Sequence, residues 1–457
     1  MDLPRVVIAG VSSGCGKTTV ATGLMGALSS TGLKVQGFKI GPDFIDPTYH
    51  TMVTNRKSRN LDAWMLPEKT ILGLFQQNAS GCDIAVIEGV MGLFDGIEGK
   101  RGNGSTASIA RLLKSPVILV VDVWGMAGTA AAIVEGCKAL DKRLNIAGVI
   151  LNRVSGEKHA RMCGDAIEST TGVPVIGELP RDTGIGLPER HLGLVPTTEK
   201  PELRERLDKI SEFVKSNVDL SEVLEVAKSA PSLEKVQLKK PTRTRHVRIG
   251  VAYDEAFNFY YQDALDALSA AGAEICFFSP IHDRVVSDEF DALYIGGGFP
   301  EIFAEQLESN QSFRSSIKKK VEDGLPVFAE CGGLMYLTRS ITGFEGASHS
   351  MVGVLDCQTR MVTKLTLSYT YASVIKENIL AKPGATIKGH EFHHSKLEGV
   401  PADASFAYVM KHGSGIKAEK DGWLEHNTLA QYMHINFGAS PKFASNFIET
   451  CFKYKRR

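Results

Sequence analysis

The chain has 457 residues, 43% of them hydrophobic, and its 52 basic side chains are balanced by 52 acidic ones. That length supports two or more domains with full cores, and the balance supplies no net field to draw nucleic acid or an anionic membrane surface. The longest apolar runs, such as "SPVILVVDVWG", are too short to span a bilayer.

Eight cysteines lie scattered without a paired metal-ligand spacing, the pattern of a reduced protein. "MDLPRVVIAGV" has no basic region followed by a hydrophobic signal core, so a cytoplasmic location is expected.

In chain order, residues 5–10, 33–39, 83–87, 116–122 and 146–151 are short runs rich in β-branched residues. Helix-forming stretches at 17–30, 126–140 and 157–171 fall between or after them. Alternation of this kind predicts an α/β fold with a parallel sheet covered on both faces. The chain reads as a first domain over 1–228 and a polar, proline-punctuated linker over 229–245, "SAPSLEKVQLKKPTRTR". A second α/β domain over 246–446 follows, strand-rich over 351–436, with a basic tail at 447–457.

"GVSSGCGKTT", residues 10–19, follows the first strand and opens a helix, the context a phosphate loop requires. Gly14 and Gly16 let backbone N–H groups converge on phosphate oxygens, with Thr19 continuing the loop. Lys17 adds positive charge, and the Thr18 hydroxyl suits magnesium. The usual G-x-x-x-x-G-K-[ST] pattern would place its first glycine at Val11, whereas here it stands at Gly10.

Two acidic stretches follow later strands. "KIGPDFIDPTYH" carries Asp43 and Asp46, and "VIEGVMGLFDG" carries Glu88 and Asp95. Carboxylates at the C-terminal ends of strands in an open parallel sheet face the ligand crevice. Asp43 and Glu88 are the candidates for holding Mg2+ on nucleotide phosphates, and Asp46 and Asp95 for contact with substrate or intermediate. Asn152, after a further strand, could read an adenine edge or serve as a turn residue. "LPERHLG", residues 187–193, could border substrate or be an ordinary loop.

In the second half, "VFAECGGLMYL" runs a strand into Cys331, then Gly332 and Gly333, then a helix-compatible stretch. A nucleophile on a strand-to-helix turn stands clear of the sheet, and a helix N-terminus is expected to lower its thiol pKa. "YIGGGFPE" supplies Gly297 and Gly298, whose backbone N–H groups suit an oxyanion. "YMHINFG" places His434 after a strand as a candidate base.

Together with "PERHLGL" and "GHEFHHS", these stretches resemble the cobyrinate a,c-diamide synthase family, in family order and over nearly the whole chain. The family includes the nickel-sirohydrochlorin a,c-diamide synthases. The resemblance implies an ATP-dependent synthetase domain with a P-loop NTPase-type, dethiobiotin-synthetase-like sheet, followed by a class I glutamine amidotransferase domain. It makes Cys331 the glutaminase nucleophile and His434 its activator. Two positions depart from the wider amidotransferase pattern. Asn436 stands where a glutamate usually completes the triad, and Ala329 occupies the first position of the G-x-C-x-G elbow.

The implied reaction is amidation of the a and c acetate carboxylates of a polycarboxylated tetrapyrrole, cobyrinate or nickel-sirohydrochlorin. ATP would activate each carboxylate as an acyl phosphate, and L-glutamine would supply the ammonia. The acidic loop around Asp43 and Asp46 calls for magnesium or arginines to offset its charge. The alternatives are a P-loop ATPase switch with a vestigial amidotransferase half, and a cobyric acid synthase-like enzyme acting on other carboxylates. A homodimer is compatible with either.

Overall fold

The computed structural model describes residues 1–97, 104–181, 184–187, 189–190, 193–194, 203–238 and 245–456. The chain divides into two compact units, Met1–Leu238 and Lys239–Arg457.

The first unit is built on seven parallel strands: β1 (Arg5–Gly10), β2 (Val35–Ile40), β3 (Arg59–Leu61), β4 (Ile84–Glu88), β5 (Val117–Asp122), β6 (Ile146–Val154) and β7 (Val175–Pro180). Their order is β3-β2-β4-β1-β5-β6-β7. β1, β4 and β5 are nearly continuous apolar runs because helices cover both faces, whereas β2 carries Gln36 and Lys39. The side chains of Val6, Val7 and Ile8 are wholly removed from solvent, each contributing about 1.5–3 kcal/mol of burial free energy. Helix α1 (Lys17–Ser30) packs Val20, Ala21, Leu24, Met25 and Leu28 into that core, a stripe at helical spacing. Chain direction across the sheet reverses around β1, so the crevice at its C-terminal end is where a ligand belongs.

The second unit centres on a twelve-stranded mixed sheet. Strands Ala273–Phe278, Val247–Ala252, Ala292–Ile295, Val327–Glu330 and Thr428–Gln431 run parallel in that spatial order. Antiparallel strands Lys420–Glu425, Ser405–His412 and Gln358–Val374 extend it. The long strand Thr386–Glu398 pairs with Gln358–Val374 and also with the two-residue strand His434–Ile435. The strand-rich character expected over 351–436 is thus an antiparallel extension of the parallel sheet.

Two boundary expectations differ from the structure. Residues 447–455 belong to the helix Pro441–Lys455, which buries Phe443, Phe447, Ile448 and Cys451 at helical spacing. Lys453 and Lys455 lie in its last turn, where they complement the helix dipole, so this basic stretch is the end of a packed helix and not a separate tail. The first part of the expected linker is packed on the first unit. Leu233 is buried and bonded to the Met1 carbonyl, and Gln76 bonds Glu234 and Val236. Residues 239–244 lie outside the described residues. Among the described residues, no helix is long and apolar enough to cross a membrane.

Candidate functional site

The turn after β1 has the form of a phosphate loop. Gly14 and Gly16 take positive φ angles of 74° and 96°, and a Cβ on Gly16 would lie 2.2 Å from Asn152 Nδ2. Only glycine fits there. Asn152 Nδ2 donates to the Cys15 carbonyl at 2.9 Å, so Asn152 braces the loop from β6. The segment after β4 rides on the same loop, with Gly89 N–H bonding Ile8 O and Leu93 N–H bonding Gly10 O. Lys17 is folded back, its Nζ donating to Ser12 O at 2.8 Å, and burial lowers its ammonium pKa.

Behind the loop lies a compact charged cluster. Thr18 Oγ1 donates to Glu88 Oε1 at 2.6 Å and reaches Asp46 Oδ2 at 3.3 Å. Lys39, on β2, places Nζ 2.6 Å from Asp46 and 2.8 Å from Glu88. His50 Nε2 lies 2.7 Å from the other Glu88 oxygen. Burial works against every charge here. For Glu88 that effect is overcome by Lys39 and His50, which hold its carboxyl well below the usual range. For Asp46, burial and the neighbouring Asp43 and Glu88 win, and its pKa rises. Lys39 is held above its ordinary value despite burial, by Asp46 and Glu88.

Beside Gly16 and Thr19 opens a cleft of about 360 Å³, lined also by Asn152, Trp124, Arg153 and Arg181. The Arg181 guanidinium sits 4.3 Å over the Trp124 ring. A flat cation on an aromatic wall beside a phosphate loop offers a stacking surface for a nucleobase.

In the second unit, the strand Val327–Glu330 ends at Cys331, which has φ 48° and ψ −100°. A side chain at positive φ is strained, and such strain collects where a residue must be presented. The following helix, Gly332–Leu337, is a single short element. Gly297 and Gly298 come from the turn after Ala292–Ile295. A Cβ on Gly297 would lie 2.6 Å from His434 Cε1, and a Cβ on Gly332 would lie 3.1 Å from Gly298 N. The glycine pair therefore touches both the His434 ring and the turn at Cys331. His390 stacks on His434, ring centroids 5.0 Å apart at 21°.

The expected lowering of the thiol pKa is reversed. Burial, reinforced by Glu301, Glu330 and Glu391, pushes Cys331 well above the ordinary thiol value, and the bond from Gly332 N–H only partly offsets this. His434 is driven well below its ordinary value by burial, with His390 and His393 adding to the effect. The resting arrangement is a neutral thiol and a neutral imidazole.

Residues 6–195 match the family described as CobQ/CobB/MinD/ParA nucleotide binding domain. Residues 248–442 match the CobB/CobQ-like glutamine amidotransferase domain. The chain is 45% identical over 456 residues to a protein of Dehalococcoides mccartyi named cobyrinate a,c-diamide synthase, covering 98% of both chains. Proteins of the same name from Listeria innocua (46%, covering 96% of this chain and 97% of theirs) and Archaeoglobus fulgidus (44%, covering 100% and 99%) are similarly close. The chain belongs to the cobyrinate a,c-diamide synthase family. It is a glutamine-hydrolysing carbon–nitrogen ligase that uses ATP. With the amidotransferase half matched along its length, the reading as an ATPase switch with a vestigial second half is set aside.

Within this family frame the structure sorts the sequence candidates. Lys17, Thr18, Glu88 and Asp46 converge, with Gly14, Gly16, Thr19 and Asn152 forming the loop, its brace and the cleft wall. Asp43 is turned elsewhere, its Oδ1 accepting from Ile45 N–H and Asp46 N–H at the start of helix α2 (Asp46–Thr54). Asp95 is exposed and closes a turn through Gly92 N–H. Of "LPERHLG", positions 188, 191 and 192 lie outside the described residues, and Glu189–Arg190 pairs with Gly193–Leu194.

Lys39 was missed. It supplies the counter-charge that sequence reasoning sought in magnesium or arginines. Its signal is a lysine one residue before the end of a buried strand. His390 stood in a quoted motif without a role.

Among the described residues, no group of three or more His, Cys, Asp or Glu side chains is arranged to hold a metal ion by itself. Magnesium on a nucleotide keeps several waters and takes one or two carboxylates besides phosphate oxygens. The oxygen donors of Thr18, Glu88 and Asp46 fit that requirement.

Proposed function

We propose that this ligase amidates the a and c acetate groups of cobyrinate, converting each carboxylate in turn through an acyl phosphate that ammonia displaces. The observation that carries the substrate reading is the name shared by near-full-length relatives at 43–46% identity. A carboxylate alone does not yield to ammonia, because oxide is a poor leaving group, and transfer of a phosphoryl group from ATP supplies a better one.

In the first unit, Lys17 leaves Ser12 O to meet the transferring phosphate, and the loop N–H groups orient it. The base stacks in the cleft of Trp124 and Arg181, beside Asn152. Thr18, Glu88 and Asp46 would hold a magnesium ion, which would neutralise charge on the phosphates. Lys39 keeps Glu88 ionised and offsets Asp46.

In the second unit, Cys331 attacks the carboxamide carbon of glutamine. His434, neutral at rest, accepts the thiol proton and returns it to the departing ammonia. The N–H groups of Gly297 and Gly298 face the developing oxyanion. Water then hydrolyses the glutamyl thioester, releasing glutamate and the thiol.

The test is mass spectrometry of cobyrinate and of nickel-sirohydrochlorin, each incubated with enzyme, magnesium-ATP and glutamine. Two successive acid-to-amide conversions of cobyrinate at the a and c positions support the reading. Amidation only at other carboxylates would assign a cobyric acid synthase-like activity instead, and conversion of nickel-sirohydrochlorin alone would move the substrate to that tetrapyrrole.

A further inference from the structure

We propose that Glu330 and Asp421 are positioning residues for His434, clamping the backbone on either side of it and doing the orienting work of the missing triad glutamate. The inference rests on the reading of His434 as base for Cys331.

Both carboxylates are buried, a costly placement unless their oxygens are satisfied. Each spends its bonds next to His434. Glu330, immediately before Cys331, accepts from Ile435 N–H at 2.8 Å through Oε1 and from Tyr294 O–H at 2.6 Å through Oε2. Asp421 accepts from Met433 N–H at 3.0 Å through Oδ2. Its Oδ1 accepts from Tyr432 N–H at 3.0 Å and Gly422 N–H at 2.8 Å.

The residues flanking His434 are thus both held by buried carboxylates, one of them adjacent in sequence to the thiol. Cys331 N–H bonds Gln431 O at 2.7 Å, joining the same two segments directly. The His390 ring stacks on the imidazole held in this way. Asn436, at the glutamate position, spends Oδ1 on Gly438 N–H, capping the turn that follows.

The carboxylates predict different responses to amide substitution. Asp421 accepts only from backbone N–H groups, so Asp421→Asn sets an amide donor against a donor. Glu330→Gln keeps an acceptor for Ile435 and can donate to the Tyr294 oxygen.

Steady-state glutamine hydrolysis would be measured in the full chain for Asp421→Asn, Glu330→Ala, Glu330→Gln and Cys331→Ser. The unfolding enthalpy of the second unit in scanning calorimetry measures the folded fraction of the same preparations, and ammonia-supported amidation shows that the first unit is intact. The expected result is a kcat loss of about 10- to 100-fold in Asp421→Asn and Glu330→Ala, with KM for glutamine little changed. Glu330→Gln should recover most of the loss seen with alanine. Alkylation of Cys331 by a chloroketone analogue of glutamine should slow in the same order, which keeps the test open if turnover of a variant is too low to measure. Wild-type kcat in both Asp421→Asn and Glu330→Ala overturns the clamp, as does a loss that merely follows the folded fraction. Glutamine hydrolysis surviving in Cys331→Ser overturns the thiol reading itself.

Discussion

Lys39 Nζ lies 2.8 Å from Glu88 Oε1, and both side chains are almost wholly shielded from water. This pair, with Asp46 on the same ammonium, sets the charge state of the phosphate site before any nucleotide arrives. Replacing the lysine by a neutral residue of similar length leaves carboxylates buried without their cation. Lys39→Met should destabilise the first unit by about 3–5 kcal/mol, read from urea unfolding. An unchanged midpoint would show that the cluster is wetter than its burial indicates.

Asp46 and Asp43 should separate experimentally. Asp46→Asn removes charge beside Thr18 and Lys39 and should raise the magnesium concentration needed for half-maximal amidation. Asp43→Asn weakens only the bonds at the start of α2, at about 1 kcal/mol or less, since asparagine also caps helices. Equal magnesium dependence in the two variants would return Asp43 to the metal site.

Lys17→Ala should abolish amidation with glutamine and with ammonia alike, because both require the phosphorylated carboxylate and a neutral side chain supplies no charge at the phosphate. Near-normal product formation at saturating ATP would remove Lys17 from the mechanism.

Cys331→Ser should divide the two half-reactions. A hydroxyl opposite a neutral imidazole is a far weaker nucleophile than a thiol, so glutamine-dependent amidation should fall by at least about 10³-fold. Ammonium at mildly alkaline pH should still support ATP-dependent amidation. His434→Ala should show the same division. Loss of the ammonia reaction in a folded, ATP-binding Cys331→Ser protein would place the thiol in the synthetase chemistry.

Burial raises the Glu330 carboxyl from 4.5 to about 8, against the bonds from Tyr294 and Ile435. A carboxyl raised on folding takes up a proton, so its contribution to stability is full below 4.5 and is lost as pH rises through about 8. Between these values the Glu330 contribution to the stability of the wild-type second unit should fall by on the order of 5 kcal/mol. Glu330→Gln, which does not titrate, should show a flatter dependence of Tm on pH across that window in scanning calorimetry. Parallel curves for the two proteins would contradict the assignment.

Much of this protein is written in short contiguous stretches. "GVSSGCGKTT" announces its turn locally, with glycines at positive φ and a lysine opening a helix, although its brace, Asn152, comes from β6. The same holds for the Cys331 turn, where a strand, a thiol and two glycines lie side by side in the chain, and for the strand-helix alternation that announced the parallel sheet. Other features exist only once the strands are ordered. Lys39 meets Glu88 across 49 residues because β2 and β4 are neighbours, and strand order is not encoded in either strand alone. That Asp46 and not Asp43 reaches Thr18 depends on the start of α2, where Asp46 is the first helical residue and Asp43, ahead of it, holds the Ile45 and Asp46 N–H groups. Glu330 reaches Ile435 across 105 residues by way of the pairing of Val327–Glu330 with Thr428–Gln431. The direction of the Cys331 pKa also belongs to tertiary structure. A helix N-terminus favours the thiolate locally, but the cost of charging a sulfur depends on what surrounds it, and here that is a closed core with Glu301 and Glu391 brought in from distant segments beside the adjacent Glu330.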